Sequence, residues 1–337
     1  MKVIEISRSF GIENLRLVTR HEPEVLSPQH VLVQMKAASL NYRDYLVITG
    51  KYNPKFKLPL IPLSDGAGEI IAVGNDVQGF SVGDRVISTF AEDWQEGEGK
   101  NEEIRNALGG PKDGTLCEKK VFHSKSLVKI PDYLSYEEAA TLPCAALTAW
   151  NSFKEFGNLS TGQTVLIQGT GGVSLFGLQI GKALGARIIA TSSSEEKLQK
   201  LKDLGAIDTI NYKEFPEWGK IVKEKTGGIG VDHVLEVGGL GTLEQSIKAT
   251  RPFGQISLIG VLSGNDKPVN LLPVIMNNIK LQGILVGSKM SLVRLCSSFE
   301  NWKIKPVIDR VFNIDEAIKA IEYLKSGNHF GKIVIKI

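Results

Sequence analysis

A short apolar run near the middle of the chain ends in a cluster of glycines and leads directly into a helical pattern. The apolar run is Val165–Gln168, the helical pattern is Val173–Leu184, and Gly169-Thr170-Gly171-Gly172 joins them. In such a strand-turn-helix unit, the first glycine permits a tight turn and the second lets the backbone approach a pyrophosphate, which the helix N-terminus attracts. The pattern predicts a dinucleotide site at Gly169, Thr170, Gly171, Gly172 and Val173, with a purely structural turn as the alternative.

The match to the G-x-G-x-x-G fingerprint is incomplete at its third glycine. Ser174 stands at that position, and Gly177 follows one turn later. The setting of the turn nevertheless supports the prediction, because strands and helices alternate repeatedly after Ile130. Predicted strands are 165–168, 187–191, 209–212, 233–237, 255–261 and 281–286, and predicted helices are 173–184, 195–204, 217–225 and 243–250.

This alternation is typical of a doubly wound parallel sheet of the Rossmann type, which we predict for residues 131–287. Ligands bind such sheets at the carboxyl ends of the strands. The residues that end the later predicted strands are therefore expected to contact the cofactor through their backbones: Gly238, Gly260, Val261, Leu285, Val286 and Gly287.

The first part of the chain has a different pattern, in which short strands of alternating polarity are separated by glycine turns. This pattern predicts a small β-barrel-like domain over residues 1–130, and we expect the tail, residues 288–337, to belong to the same domain. Predicted strands are 2–6, 15–19, 31–38, 68–73, 85–90, 116–122, 127–130 and 332–337, and predicted tail helices are 292–301 and 315–325. The polar segment 91–113, which carries four glycines, is expected to run over the surface.

Composition narrows the possible partners. The 337 residues suit two domains, and 40 Lys and Arg against 37 Asp and Glu leave a net charge of +3, too small to indicate nucleic-acid binding. No apolar run reaches the roughly 18 residues that span a bilayer, and the first residues lack an apolar signal core, so we expect a cytoplasmic protein without membrane contact. Three widely spaced cysteines suit a reducing compartment.

The end of the second predicted Rossmann strand bears on the choice of cofactor. An acidic residue there would bind the ribose 2′-hydroxyl and repel a 2′-phosphate, but Thr191 is followed by three serines before Glu195. Ser192, Ser193 and Lys197 are suited to receiving a phosphate, which favours NADP(H). As an alternative that is compatible with this role, Ser193 and Glu196 form a helix capping box.

With these features in order, the whole chain resembles the medium-chain dehydrogenase/reductase superfamily, and most closely its zinc-independent branch of quinone oxidoreductases and related NADPH-dependent reductases. The resemblance implies a GroES-like catalytic domain, a Rossmann domain and an active site in the cleft between them. It is carried by residues 37–44, 64–69, 82–86, 142–149, the glycine turn and 331–334.

The resemblance also implies an expectation about metal. Zinc alcohol dehydrogenases of this superfamily carry a cysteine at the position of Asn41, a histidine-glutamate pair at Ser64-Asp65 and a ligand cysteine at Cys144. Only Cys144 is retained, whereas a catalytic zinc ordinarily needs three protein ligands. The close-set cysteines of a structural zinc loop are also missing from 91–113. We therefore expect no metal, and we expect Cys144 to be a packed core thiol.

Further roles follow from the same resemblance. Asn41 and Tyr45 are expected to donate hydrogen bonds to the substrate, Thr148 to contact the nicotinamide and Tyr212 to lie by the adenosine phosphate. The structural alternatives are a buried Arg43–Asp44 ion pair, a core position for Tyr42 and an edge position for Tyr212.

The leading functional hypothesis is a zinc-independent, NADPH-dependent oxidoreductase that reduces a quinone or an activated C=C or C=O bond of a small molecule. The alternatives are an NAD(P)-dependent alcohol dehydrogenase that works oxidatively and a non-catalytic dinucleotide-binding protein. The apolar strand predicted at 281–286 would extend a sheet across a two-fold axis, as in family members, so a homodimer is expected.

Overall fold

The computed structural model describes residues 1–24, 27–263 and 268–337. The chain forms two compact units. Unit 1 comprises Met1–Leu147 with Val286–Ile337, and unit 2 comprises Thr148–Leu285. The sequence places the first boundary at residue 130, but the following segment stays with unit 1 because its residues pack on the first sheet. Cys144, for example, donates its backbone N–H to the Asp65 carboxylate.

Unit 2 is built on a six-stranded sheet in which all neighbouring strands are parallel. Its order is β10-β9-β8-β11-β12-β13, which is the doubly wound order of a Rossmann fold and confirms that prediction. Strand β8, in the middle of the sheet, is buried along its whole length, as a strand covered on both faces should be. The strands are β8 (Thr164–Gln168), β9 (Arg187–Ser192), β10 (Asp208–Asn211), β11 (Val231–Glu236), β12 (Thr250–Leu258) and β13 (Lys280–Gly283).

Four of the helices in this region agree closely with the sequence pattern, since each has an apolar stripe that packs on the sheet. The short helix α9 was not predicted, because its residues are largely exposed and form no such stripe. The helices are α4 (Leu147–Trp150), α5 (Gly172–Ala183), α6 (Glu195–Asp203), α7 (Trp218–Lys225), α8 (Leu240–Ala249) and α9 (Leu272–Met276).

Unit 1 contains a two-stranded antiparallel sheet, β1 with β2, and a larger sheet organised around β3. The ten residues of β3 alternate between buried and half-buried along most of their length, so one face lies on the core. The strands are β1 (Lys2–Ile6), β2 (Leu15–Thr19), β3 (His30–Ser39), β4 (Asp65–Val73), β5 (Arg85–Ser88), β6 (Lys119–His123) and β7 (Leu127–Lys129). The helices before Leu147 are α1 (Tyr42–Ile48), α2 (Asn101–Arg105) and α3 (Tyr136–Ala139).

The end of the chain belongs to unit 1. The last strand, β15 (Lys332–Lys336), pairs antiparallel with β3 and parallel with β14 (Ile308–Asn313). The sequence did not indicate β14, because it is an edge strand in which only Phe312 is buried. The helices of this region are α10 (Lys289–Trp302) and α11 (Ala317–Ser326).

The segment 91–113 is not the surface excursion that the sequence predicts. Ala91 and Ala107 form an isolated β-bridge, and Trp94 and Leu108 are buried. Arg43 fixes the end of the segment by donating to the carbonyl oxygens of Leu108 and Gly110 at 3.0 and 3.2 Å. Apolar residues of the segment 91–113 are thus buried, whereas most of its polar residues are at least partly exposed. Among the described residues, no helix is both long and apolar enough to cross a bilayer.

Candidate active site

The glycine turn of unit 2 has the geometry that a phosphate cradle needs. Gly169 adopts a left-handed conformation, with φ of 69°, and donates its N–H to the Thr191 carbonyl at 2.7 Å. Gly171 is the N-cap of α5. A Cβ at either glycine would meet no atom within 4 Å, so the space in front of the helix N-terminus is open to a ligand. The unpaired N–H groups of the first helical turn can bind an anion there.

The missing third glycine is explained by two neighbouring residues. A Cβ at Gly177 would lie 2.3 Å from Cδ1 of Leu235, so Gly177 provides the close approach between helix and strand. Ser174 instead donates its hydroxyl to the Gln168 carbonyl at 2.6 Å, which closes the turn. Ser174 and Gly177 together therefore perform the structural roles of the third glycine in the fingerprint: Ser174 closes the turn, and Gly177 allows the helix to approach the strand.

A buried polar network links β8 to β11 at their carboxyl ends, and the sequence reasoning missed it. Gln168 Nε2 donates to Glu236 Oε2 at 2.8 Å, and the Glu236 side chain is fully buried. The other donors to this carboxylate are Ser246 Oγ at 2.5 Å, Thr242 Oγ1 at 2.6 Å and the N–H groups of Gly238 and Gly239 at 2.8 and 2.9 Å. The one signal in the sequence was a glutamate directly after the apolar residues Val234 and Leu235.

This network bears on the predicted backbone contacts. The Gly238 N–H is engaged by Glu236, and its carbonyl accepts from the N–H and hydroxyl of Ser263. A Cβ at Gly260 would lie 2.1 Å from the Val237 carbonyl oxygen. These two glycines thus allow close chain packing here, and their contact with a cofactor stays a prediction.

The other predicted contacts at the strand ends differ in exposure. Val261 and Leu285 are exposed, whereas Val286 and Gly287 are buried. Val286 adopts a left-handed conformation, with φ of 48°, which is uncommon for a β-branched residue. Thr148 is also buried, and its carbonyl accepts a hydrogen bond from Ser152 Oγ at 2.8 Å.

The serines after β9 are arranged differently from the predicted capping box. Ser194, not Ser193, caps α6 by accepting from the Lys197 N–H at 3.4 Å, because the helix begins at Glu195 and Ser194 directly precedes it. Ser192 is buried and Ser193 is half-buried. Tyr212 is 40% exposed, and its N–H donates to the Ser192 carbonyl, so the tyrosine stands beside the serines at the sheet edge.

In unit 1, the predicted donors lie at the start of α1. Asn41 is the N-cap residue, and its N–H donates to Asp44 Oδ2 at 2.8 Å. The alternative of an Arg43–Asp44 ion pair is confirmed: the two charges are 3.4 Å apart, Asp44 is fully buried, and burial raises its pKa to about 6. A core position for Tyr42 is wrong, since it is 38% exposed, whereas Tyr45 packs partly against the core.

The side chain of Lys332 projects from β15 toward Asn41 and was not anticipated. It is 3% exposed, and Nζ donates at 2.6 Å both to the Leu40 carbonyl and to Asn41 Oδ1. Burial lowers the pKa of Lys332, while the negative charge of Asp65 acts in the opposite direction. Asn41 Nδ2, by contrast, is buried and makes no hydrogen bond of close geometry among the described residues, but it acts as a donor toward the Asp65 carboxyl and so opposes the rise in the pKa of Asp65 that burial causes.

The donor set around Lys332 does not fit a zinc ion. Asp65 accepts from Ser64 Oγ and from the Cys144 N–H, so both of its oxygens are engaged. Burial is the main cause of the raised pKa of Cys144, which keeps the thiol protonated, as expected of a core thiol. A metal placed here would find one cysteine, a carboxylate whose two oxygens are already engaged and a nearby lysine Nζ, instead of three available protein ligands.

Comparison with known proteins extends this picture to the whole chain. The family described as alcohol dehydrogenase GroES-like domain matches residues 27–132, and the family described as zinc-binding dehydrogenase matches residues 172–300. A zinc-type alcohol dehydrogenase-like protein of Schizosaccharomyces pombe is 43% identical over 97% of this chain and 96% of its own. The chain belongs to the medium-chain dehydrogenase/reductase superfamily.

Solved structures of this superfamily show the same fold. A putative alcohol dehydrogenase from Sinorhizobium meliloti 1021 is 41% identical, with a TM-score of 0.93 and coverage of 100% of this chain and 99% of that one. A structure described as an NAD-dependent alcohol dehydrogenase is 34% identical, with a TM-score of 0.91 and full coverage of both chains. The chain is therefore an oxidoreductase of the medium-chain type, with a GroES-like domain and a Rossmann-type domain.

Proposed function

We propose that this protein is a zinc-independent, NADPH-dependent reductase of quinones or of small molecules with an activated C=C or C=O bond. The observation that carries the proposal is the amide of Asn41: its buried Nδ2 makes no hydrogen bond of close geometry among the described residues, and with one N–H directed at Asp65 the other is left for an acceptor. A carbonyl oxygen is the acceptor that such a donor fits. Relatives named acryloyl-coenzyme A reductase and quinone oxidoreductase-like protein, each 30% identical, support a substrate of this kind.

The glycine turn at the start of α5 would hold the pyrophosphate, and the bound cofactor would supply a hydride. Reduction of a C=O bond in this way would leave the π-electron pair on the substrate oxygen, and a proton from water would complete the reduction. For a conjugated C=C bond, hydride would add to the β-carbon and the C=C electron pair would form a new double bond to the carbonyl carbon. The C=O electron pair would then move to oxygen, and a proton from water would be taken up at the α-carbon. Asn41 and Tyr45 are the donors that we assign to this oxygen, and Thr148 is the residue that we place against the nicotinamide.

For the cofactor, we propose NADPH because Ser192, Ser193 and Lys197 offer hydroxyl and ammonium groups at the end of β9, where an NAD enzyme would carry an acid. The relatives include both types: the NAD-dependent alcohol dehydrogenase described above, and a mycobacterial structure complexed with NADPH that is 26% identical. We place Tyr212 beside the adenosine phosphate, and Gly238, Gly260, Val261 and 285–287 along the ribose and nicotinamide.

The test is a screen of the purified protein against quinones, enals, enoyl thioesters and aldehydes, following NADPH consumption after dialysis against a chelator. We expect turnover with at least one carbonyl-activated acceptor and no loss on chelation. Stoichiometric zinc whose removal abolishes turnover would contradict the proposal. NAD(P)⁺-dependent oxidation of simple alcohols, without reduction of any conjugated acceptor, would favour the oxidative alcohol dehydrogenase.

We also propose a homodimer formed along β13, and a reducing cytoplasmic compartment. The strand β13 is an edge of the six-stranded sheet among the described residues, and α9, which precedes it closely in the chain, exposes Leu272, Ile275 and Met276. An unpaired strand edge next to exposed apolar side chains favours pairing with a second copy. All three cysteines are buried and unpaired, as suits a reducing compartment.

A further inference from the structure

We propose that Lys332 is a positioning residue of the active site: it fixes the Asn41 amide as a charge-assisted hydrogen-bond donor to the carbonyl oxygen of the substrate. This inference rests on the proposed function, in which Asn41 contacts that oxygen. It adds a residue on the last strand of the chain, 291 positions away from its partner.

The orientation of the Asn41 amide follows from the chemistry of lysine. A lysine ammonium has three N–H donors and no acceptor, so the amide atom that faces it must be the oxygen. The 2.6 Å bond from Lys332 Nζ to Asn41 Oδ1 therefore directs Nδ2 away from the lysine, with one of its two N–H groups on the side of Asp65 and the other left for a ligand. The reverse orientation would place an NH₂ group against an NH₃⁺ group.

Two further contacts restrict the movement of this pair. Lys332 Nζ also donates to the Leu40 carbonyl, and the Asn41 N–H is held by the Asp44 carboxylate. The backbone at Gly331, directly before the lysine, has a φ of 97°, and a Cβ there would lie 2.3 Å from the Val307 carbonyl oxygen. The start of β15 is thus closely packed, and the ammonium is anchored at both ends of its side chain.

The charge of Lys332 gives the amide more than an orientation. Two carboxylates act on the ammonium of Lys332: Asp65 from β4 and Asp44 from α1. Cys144 contributes a thiol to the same cluster, and Arg43 is a second cation near the thiol and Asp44. The ammonium group that donates to Asn41 Oδ1 polarises the amide, which makes its N–H groups stronger donors. Because hydride addition places negative charge on the substrate oxygen, such a donor stabilises the transition state more than the ground state.

The test is a double-mutant cycle on kcat and KM with the best substrate of the screen. We expect Asn41→Leu to lower kcat about 100-fold and Lys332→Met to lower it about 10- to 100-fold, with NADPH affinity unchanged in both. If Lys332 acts through Asn41, the double variant is no slower than Asn41→Leu alone. Losses that multiply in the double variant, or a Lys332→Met enzyme with unchanged kcat, would overturn the inference while leaving the proposed function intact.

Two controls keep the experiment decisive. If Lys332→Met does not fold because Asp65 is left uncompensated, Lys332→Met/Asp65→Asn keeps the net charge of the cluster and is compared with Asp65→Asn alone. NMR of the Asn41 side-chain amide, assigned by its loss in Asn41→Leu, should show a restricted group in the wild type and faster rotation in Lys332→Met. An amide signal that does not respond to Lys332→Met would overturn the inference without any turnover measurement. A wild type that reduces no carbonyl-activated acceptor would overturn both the inference and the proposed function.

Discussion

Gln168 and Glu236 end two neighbouring parallel strands, and the amide of the first donates to the carboxylate of the second at 2.8 Å. Through this pair, the turn that carries Gly169 is joined to the turn that carries Gly238. The Glu236 carboxylate is fully buried and accepts hydrogen bonds from five donors. Its hydrogen-bonding capacity is therefore met inside the protein.

The first prediction concerns this network. Glu236→Ala should lower the free energy of unfolding by about 3 kcal/mol or more, because Gln168, Ser246 and Thr242 lose their acceptor in a buried site. Glu236→Gln keeps the shape and one oxygen, so its loss should be smaller, about 1–2 kcal/mol. Denaturant unfolding measures both values. Equal stability of the two variants would show that the hydrogen bonds of the carboxylate are not important.

The second prediction separates cofactor binding from folding at Gly171. A side chain fits the backbone here, since φ is −76° and a Cβ would meet no atom within 4 Å. Gly171→Asp should therefore leave the unfolding free energy within about 1 kcal/mol of the wild type. Its carboxylate would lie against the pyrophosphate, and because such like-charge contacts cost several kcal/mol, NADPH affinity should fall at least about 100-fold.

Gly171→Ala is the matched control, because it adds a Cβ without a charge, and it should retain most of the affinity. A fluorescence titration of each variant with NADPH gives the comparison. Unchanged affinity in Gly171→Asp would mean that this turn does not bind the pyrophosphate.

The third prediction is a pH dependence that arises from His233. Burial lowers its pKa from 6.5 to about 4, and the ring packs edge-on against Phe153. Since the unfolded state takes up this proton at about pH 6.5 and the folded state only near pH 4, stability should fall as the pH is lowered through this window. The full effect is on the order of 3 kcal/mol. His233→Gln, which cannot titrate, should show a smaller slope between pH 6.5 and 4; identical slopes would contradict the assignment.

Apart from β14, the sequence predicts the strands of both units, most of them within a few residues, because their signals are local. Apolar alternation identified β1 and β2 with the correct ends, and the glycine turn located the switch from β8 to α5. The polar pairs could not be predicted in the same way. Lys332 and Asn41 are 291 positions apart, and Gln168 and Glu236 are 68 positions apart, so only the tertiary fold brings their side chains together.

The burial of segment 91–113 was missed for a related physical reason. Its composition is polar on average, but the few apolar residues, such as Trp94 and Leu108, are the ones that pack inward. The average polarity of the segment therefore indicates its exposed residues but not the buried ones, Trp94 and Leu108, that hold it in place.

The fourth prediction tests the proposed dimer. Ile275 and Met276 are 71% and 72% exposed beside the edge strand β13. Ile275→Asp/Met276→Asp should convert a dimer to a monomer, because charges at the centre of an apolar interface are strongly unfavourable. Sedimentation velocity measures the state. Val82→Asp, which changes an apolar residue that is 62% exposed in unit 1, is the control and should leave the dimer intact. A monomeric wild type would contradict the proposal.

The last prediction concerns cofactor choice at the end of β9. Ser192→Asp should shift the preference from NADPH toward NADH, because the carboxylate can accept bonds from both ribose hydroxyls but repels a 2′-phosphate. If Ser192, Ser193 and Lys197 hold the phosphate, the lost contact and the added repulsion together should cost on the order of 2–4 kcal/mol, or about 30- to 1,000-fold in relative affinity. Lys197→Ala should weaken NADPH with little effect on NADH, and Ser192→Asn, which has nearly the shape of aspartate without its charge, should shift the preference less than Ser192→Asp. The measurement is the ratio of kcat/KM for the two cofactors in the wild type and each variant. Since Ser194 already caps α6, the other two serines are not needed for the cap, and a wild type that prefers NADH would show that they do not serve a phosphate either.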